Sequence, residues 1–310
     1  MFKKITSHFF KQKDLAIIIC TEKGELEKYS QLLVASLRKY GGKYKDLPVF
    51  SFEPRKYRQI SEETKMFFEH NNVIHNSVEI NKKYANYPLA NKPLVCAFAE
   101  STLNFKNLLF LDSDVVFINE PSFFSEITSS DVALRPVDSK NIGSYGPKDK
   151  NDIYWVKLYD ALNIEYPVKR VRSTVDDQEI LPYYNSGHIF TERNIGLFSR
   201  WKDNFEYIMS KEILPDHGIF FVEQSVFAAT VVQMRLSVQQ FPTAYNYPVH
   251  MQDRKMPERT RLNKVTESIT IHYHKLFNNG LSEAHELFLK GSEQGQWLLS
   301  KIKSLNFGEN

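Results

Sequence analysis

The chain has 310 residues, 42% of them apolar and 25% charged, which supplies a large core and excludes a disordered or fibrous class. Forty basic residues against 37 acidic leave a net charge of +3, which excludes the strong basic field of a nucleic-acid binder. No run approaches the ~18 apolar residues needed to span a bilayer.

Residues 1–13, from Met1-Phe2-Lys3-Lys4 to Gln12-Lys13, are basic and aromatic but lack the apolar centre of a signal peptide. A solvated tail is expected there, able to associate weakly with an anionic membrane surface. Cys20 and Cys96 both sit in apolar segments, as core hydrophobes do, and this favours a reducing, cytoplasmic compartment.

Leu15-Ala16-Ile17-Ile18-Ile19-Cys20 has the unbroken apolar character of a strand buried on both faces. Leu32, Leu33, Leu37 and Tyr40 then share a helical face, and Gly41-Gly42 stops that helix. Leu47–Phe52 reads as a second strand. A second helix opens at Ser61-Glu62-Glu63, where a hydroxyl caps free amides and acids suit the positive helix end. Asn91–Leu103 is a third helix, with Pro93 in its first turn.

The next segment, Leu108–Phe117, is apolar except for Asp112-Ser113-Asp114. Buried carboxylates need a partner. Read as one extended strand, the segment projects Asp112 and Asp114 to one face, where two oxygens suit a hard divalent cation and, through it, a diphosphate.

Val132–Leu134 is a further strand. Residues 137–181 form a long polar insertion with one helical stretch around Tyr154–Leu162, expected to be a mobile flap. Asn185–Phe190 leads into a strand. Gly187 would let backbone approach a ligand, and Asn185 could bond its hydroxyls. Helices follow near 196–211 and 222–233, the second opening with Glu223-Gln224. Ile269–His274 is expected to be a strand with His272 and His274 on one face, either able to add nitrogen to an acidic metal site. A helical tail ends the chain.

The β-α-β-α alternation predicts a doubly wound, mostly parallel α/β sheet with helices on both faces and its ligand site at the carboxyl strand ends. One domain, residues 14–276, is expected, followed by a helical extension over 277–310.

Taken in order, Cys20-Thr21-Glu22, Lys92, Leu109-Phe110-Leu111-Asp112-Ser113-Asp114, Asn185-Ser186-Gly187, Glu223-Gln224 and Ile271-His272-Tyr273 resemble the GT-A nucleotide-sugar glycosyltransferases, most closely the family 8 type. The resemblance implies a GT-A-like, Rossmann-related fold and a metal-dependent transfer of sugar from a nucleotide-diphosphate sugar, a UDP-sugar by preference, to a hydroxyl acceptor with retention. The acceptor would be a glycan, a lipid-linked sugar or a protein; the oligomeric state stays open.

By the same resemblance Asp112, Asp114 and His272 hold Mn²⁺ or Mg²⁺. Thr21, Glu22, Lys92 and Ser113 border the donor, with Asn185, Gly187, Glu223 and Gln224 on its sugar side, and Glu223, Gln224 and Asn185 are the catalytic candidates. Two positions depart from the family pattern. His274-Lys275-Leu276-Phe277 stands where Gly and Lys-Pro-Trp are usual, which leaves the phosphate contact of Lys275 and the choice between the two histidines open. Register favours His272, which directly follows the apolar segment. Ser225 replaces a second acid after Glu223-Gln224.

Two rival readings accompany this one. A haloacid-dehalogenase-type phosphatase would use Asp112 as nucleophile and Asp176-Asp177 as its late acidic pair. A non-catalytic nucleotide-sugar or glycan binder would keep the pocket without the chemistry.

Overall fold

The computed structural model describes residues 14–127, 130–166, 168–216, 218–251, 256–279 and 291–308. The expected basic tail, 1–13, lies outside them.

The first half builds strands β1 (Leu15–Cys20), β2 (Val49–Glu53), β3 (Val73–Ser77), β4 (Asn107–Leu111), β5 (Val115–Phe117) and β6 (Val132–Leu134). Between them lie helices α1 (Glu25–Tyr40), α2 (Glu62–His70) and α3 (Asn91–Thr102). The second half adds α4 (Asp152–Ala161), β7 (Val171–Arg172), β8 (Glu179–Ile180), β9 (His188–Glu192), α5 (Leu197–Ser210), α6 (Val222–Gln233), β10 (Val238–Gln240), β11 (Tyr247–Pro248), β12 (Thr270–His272) and α7 (Glu293–Ser304).

Seven strands form the main sheet in the order β10-β6-β9-β4-β1-β2-β3. β1 runs parallel to β2 and β4, β2 to β3, and β10 to β6, while β9 runs antiparallel between β4 and β6. The fold is therefore α/β and parallel-rich, as the alternation predicts.

Alternate residues of the central strands feed opposite layers. Ala16, Ile18, Leu108 and Phe110 pack with Leu94 and Val95 of α3, Trp201 of α5 and Val226 of α6. Ile17, Ile19, Leu109 and Leu111 pack on the other side with Leu33, Val34 and Leu37 of α1 and Phe68 of α2. Ser61 caps α2 as its sequence signature requires, its hydroxyl accepting from the Thr64 amide at 3.2 Å.

Three expectations are corrected. Leu108–Phe117 is not one strand: β4 ends at Leu111, Ser113-Asp114 make a turn, and β5 joins a separate sheet of order β11-β12-β5. Val115 and Val116 pair there with His272 and Ile271, and hydrogen bonding to a new partner is what carries the chain away from the main sheet. The strand expected over Ile269–His274 spans Thr270–His272, because His274 takes a left-handed conformation, φ 48°.

The insertion 137–181 is not merely a polar flap. Tyr154, Trp155, Leu158 and Tyr159 of α4 are buried in the main core, and the Trp155 indole donates to the Ile142 carbonyl at 2.7 Å. The inner face of that helix is aromatic, and several polar residues of the insertion, Ser144, Asp149, Asn151 and Ser173 among them, are buried as well.

A third apolar cluster lies beneath the small sheet. Leu298 and Ile302 of α7 and the following Phe307 pack there against Tyr29, Ile271 and Tyr273. Phe307 stacks on Tyr29 with ring centroids 5.7 Å apart.

Candidate active site

A cavity of about 460 Å³ opens where β1 and β4 end, lined by Cys20, Lys92, Asp112, Ser113 and Asp114 together with residues of the insertion, α6 and the small sheet. It occupies the carboxyl edge of the parallel strands, as the topology predicts.

The chain break between sheets separates the two aspartates. The Lys92 ammonium, from the first turn of α3, donates to Asp112 Oδ2 at 2.8 Å and reaches the Ser186 hydroxyl at 3.4 Å. The Asp112 amide donates to the Gly187 carbonyl at 2.8 Å, and a Cβ on Gly187 would overlap the Asp112 carboxylate. Burial works against the Lys92 ammonium, but Asp112 and Glu223 prevail and hold its pKa above the ordinary lysine value. Ser113 is turned the other way, its hydroxyl donating to the Cys20 carbonyl at 2.6 Å, which ties the turn to the end of β1.

Asp114 faces the histidines. Its Oδ1 lies 3.2 Å from His272 Nε2 and its Oδ2 lies 3.5 Å from His274 Nδ1. One ligand atom from each of Asp114, His272 and His274 falls within 4.8 Å of the others; Asp112 is outside this group. Although burial pushes the Asp114 carboxyl up, the charge of His272 and then of His274 and Lys92 holds it well below the usual carboxylate range. For His272 burial acts downward and is outweighed by Asp114, which raises its pKa. The His272 charge, with burial second, drives His274 down to about 2.

His272 is 2% exposed, yet neither ring nitrogen makes a well-aligned hydrogen bond among the described residues. Unpaired buried imidazole nitrogens beside a carboxylate are the donor set of a borderline divalent ion such as Mn²⁺, so the residues present fit one. His250, from the short turn Val249–Met251, completes the histidine group. Its ring stands 4.0 Å from that of His274, and its Nδ1 lies 3.2 Å from the His272 carbonyl.

Opposite the histidines, the first turn of α6 presents Glu223 and Gln224 to the cavity. Phe221 precedes it in a left-handed conformation, φ 65°, an uncommon geometry that sets the direction of this turn. The Tyr87 hydroxyl donates to Glu223 Oε2 at 2.6 Å. Burial raises the Glu223 carboxyl, with Lys92 and Tyr87 opposing it. Gln224 Oε1 accepts from the Ser186 hydroxyl at 3.3 Å, and Asn185 Oδ1 accepts from the Gly187 amide at 2.8 Å.

Asp112, Ser113, Asp114, Lys92, Asn185, Glu223, Gln224 and His272 thus line one cavity. Gly187 sits directly behind Asp112. Thr21 and Glu22 stand at the end of β1 with their side chains turned inward. Thr21 exchanges hydrogen bonds with Ser30 and Ser51 at 2.7 and 2.8 Å, and Glu22, 1% exposed, accepts from Arg55 at 2.9 Å. Lys275 is exposed and outside the lining.

The sequence reading missed Tyr87, Asp138, Tyr183 and His250. Tyr183 adjoins the Asn185 motif and could have been found there; single Tyr, Asp and His residues in loops carry no comparable signal.

The phosphatase alternative loses its second acidic pair. Asp177 is bound to Arg259 at 2.6 Å, Asp176 accepts from the Lys140 amide at 2.8 Å, and neither lines the cavity.

Solved structures that share the fold include the following two. Mouse xyloside xylosyltransferase 1, in its apo form, superposes with a TM-score of 0.50 at 11% identity, covering 84% of this chain and 97% of that one. The WbbM bifunctional glycosyltransferase, also apo, gives a TM-score of 0.56 at 13% identity, covering 96% of this chain and 50% of that one. No curated protein matches by sequence. Residues 17–235, more than half of the chain, match the Rhodobacterales glycosyltransferase domain, and the chain belongs to that glycosyltransferase family.

Proposed function

We propose that this glycosyltransferase is a GT-A-type enzyme close to the family 8 pattern, moving a sugar from a UDP-sugar to a hydroxyl of a glycan acceptor with retention. The observation that carries the reading is the convergence of Asp114, His272 and His274 beside the Lys92–Asp112 pair in a cavity at the strand ends.

In this reading Asp114, His272 and His274 hold a divalent ion, Mn²⁺ by the chemistry of the donors. The ion would supply Lewis-acid charge to the departing nucleoside diphosphate. Lys92, fixed in direction by Asp112, adds a second positive charge on the leaving-group side, and because it is already oriented no reorganisation is required during reaction. Asn185 and Gln224 spend their carbonyl oxygens on the protein, so their amide N–H groups are what they present to sugar hydroxyls, one of those on Gln224 lying beside Tyr183. The end of β1 offers backbone to the nucleotide base, since the side chains of Thr21 and Glu22 are committed elsewhere.

Incubation with UDP-sugars, with and without Mn²⁺, tests the reading. Release of UDP that depends on Mn²⁺, together with no hydrolysis of p-nitrophenyl phosphate, is the expected result. Failure to bind UDP in the presence of Mn²⁺ would overturn it.

A further inference from the structure

We propose that Glu223 restricts the donor to a neutral, hydroxyl-bearing sugar and rejects donors whose sugar carries a carboxylate. The inference rests on the nucleotide-sugar reading above and names its substrate class.

The charges lining the cavity are unevenly matched. Asp112, Asp114, Asp138 and Glu223 are its acids, and among the described residues Lys92 is the one Lys or Arg in the lining. Lys92 is committed to Asp112 at 2.8 Å, and Asp138 lies 3.3 Å from Arg135, behind the wall. Asp114 has its histidines. Glu223 is 1% exposed and receives the neutral Tyr87 hydroxyl at 2.6 Å, with no guanidinium or ammonium within ion-pair distance among the described residues. The Tyr87 hydroxyl donates to it and so favours its carboxylate form, against burial, which raises its pKa.

A second observation points to a hydroxylated ligand. Tyr183 is fully buried in the cavity wall, and its hydroxyl, with the Gln224 side chain beside it, makes no well-aligned hydrogen bond among the described residues. A buried hydroxyl without a well-formed hydrogen bond costs up to about 1–3 kcal/mol, which a ligand group recovers on binding.

The subsite therefore offers N–H groups from Asn185, the Tyr183 hydroxyl with the Gln224 amide beside it, and the acceptor oxygens of Glu223. A sugar hydroxyl both donates and accepts, so it can satisfy all of these. The carboxylate of a uronate can only accept, and it would be desolvated beside a second carboxylate that has no cation within ion-pair distance. Rejection then comes from like-charge repulsion.

Calorimetry on the full chain with Mn²⁺ would compare UDP with two matched pairs, UDP-glucose with UDP-glucuronate and UDP-galactose with UDP-galacturonate. UDP should bind, and each uronate should bind at least roughly tenfold more weakly than its neutral partner. In Glu223→Gln or Glu223→Ser, whichever retains the cooperative thermal transition of the parent, that gap should narrow to about threefold or less. Equal or tighter uronate binding by the parent overturns the inference alone, as does a gap that persists in a folded Glu223 variant. Absence of UDP binding overturns the nucleotide-sugar reading itself, and the inference with it.

Discussion

Gly187 leaves the space that the Asp112 carboxylate fills, and its carbonyl accepts the Asp112 amide at 2.8 Å. The pair fixes where Lys92 points. Gly187→Ala should push Asp112 off the ammonium, lower Mn²⁺-dependent turnover roughly 10²-fold and cost about 1–3 kcal/mol of stability. Steady-state kinetics beside a thermal melt will decide it; an alanine variant with parental turnover would contradict this account of the glycine.

The metal reading predicts that Asp114→Asn, His272→Ala and His274→Ala each weaken Mn²⁺ binding by about tenfold or more. Sequence register alone favours His272 and would leave His274→Ala largely silent. Geometry treats the two as joint donors, because both approach Asp114. Calorimetric titration of Mn²⁺ without nucleotide separates the cases. An unchanged affinity in His274→Ala would restore the single-histidine set.

How legible this was can be read from those residues. Leu15–Cys20 and Val222–Gln233 were found because composition and period are local properties. The turn at Ser113-Asp114 was invisible, since apolar residues on both sides satisfy one long strand as well as two short ones in different sheets. The antiparallel placement of β9 and the arrival of His250 from a loop are set by packing between distant segments, which single-sequence patterning does not encode. The carboxylates were found as a pair, but only the fold assigns Asp112 to an ammonium and Asp114 to imidazoles.

Glu27 predicts a pH effect away from the site. Its carboxylate accepts from the Gly24 and Ser61 amides at 3.0 and 2.8 Å and from the Ser61 and Thr64 hydroxyls, both at 2.6 Å, so it joins α1 to the start of α2. Burial raises its pKa, but these bonds outweigh that and lower it. A depressed folded pKa gives stability that is fully present above the unfolded value, near 4.5, and is lost as pH falls through the folded value. Glu27→Gln should be less stable than the parent at pH 7 by about 1–3 kcal/mol, and the difference should shrink toward pH 3. Urea melts across that range test it, and a difference that is constant with pH would refute the linkage.

The C-terminal helix predicts a core effect. Leu298 is 1% exposed within the cluster that contains Tyr29 and Tyr273. Leu298→Ala should cost about 2–5 kcal/mol, as in any close-packed interior. A chemical melt within about 0.5 kcal/mol of the parent would mean that this helix is dispensable to the fold.

The passage of the chain from one sheet to the other at Asp114 has a mechanical consequence. Asp114 precedes β5, and the register pairs the next residue, Val115, with His272, so two side chains more than 150 positions apart are set by three rungs of a short ladder. An ion held between them would rivet the small sheet, and the C-terminal helix packed beneath it, to the edge of the large one. Grip on the ion and grip between the sheets are then one quantity seen from two ends: whatever loosens the C-terminal packing must weaken the ion's hold, and by the same free energy the ion must resist that loosening.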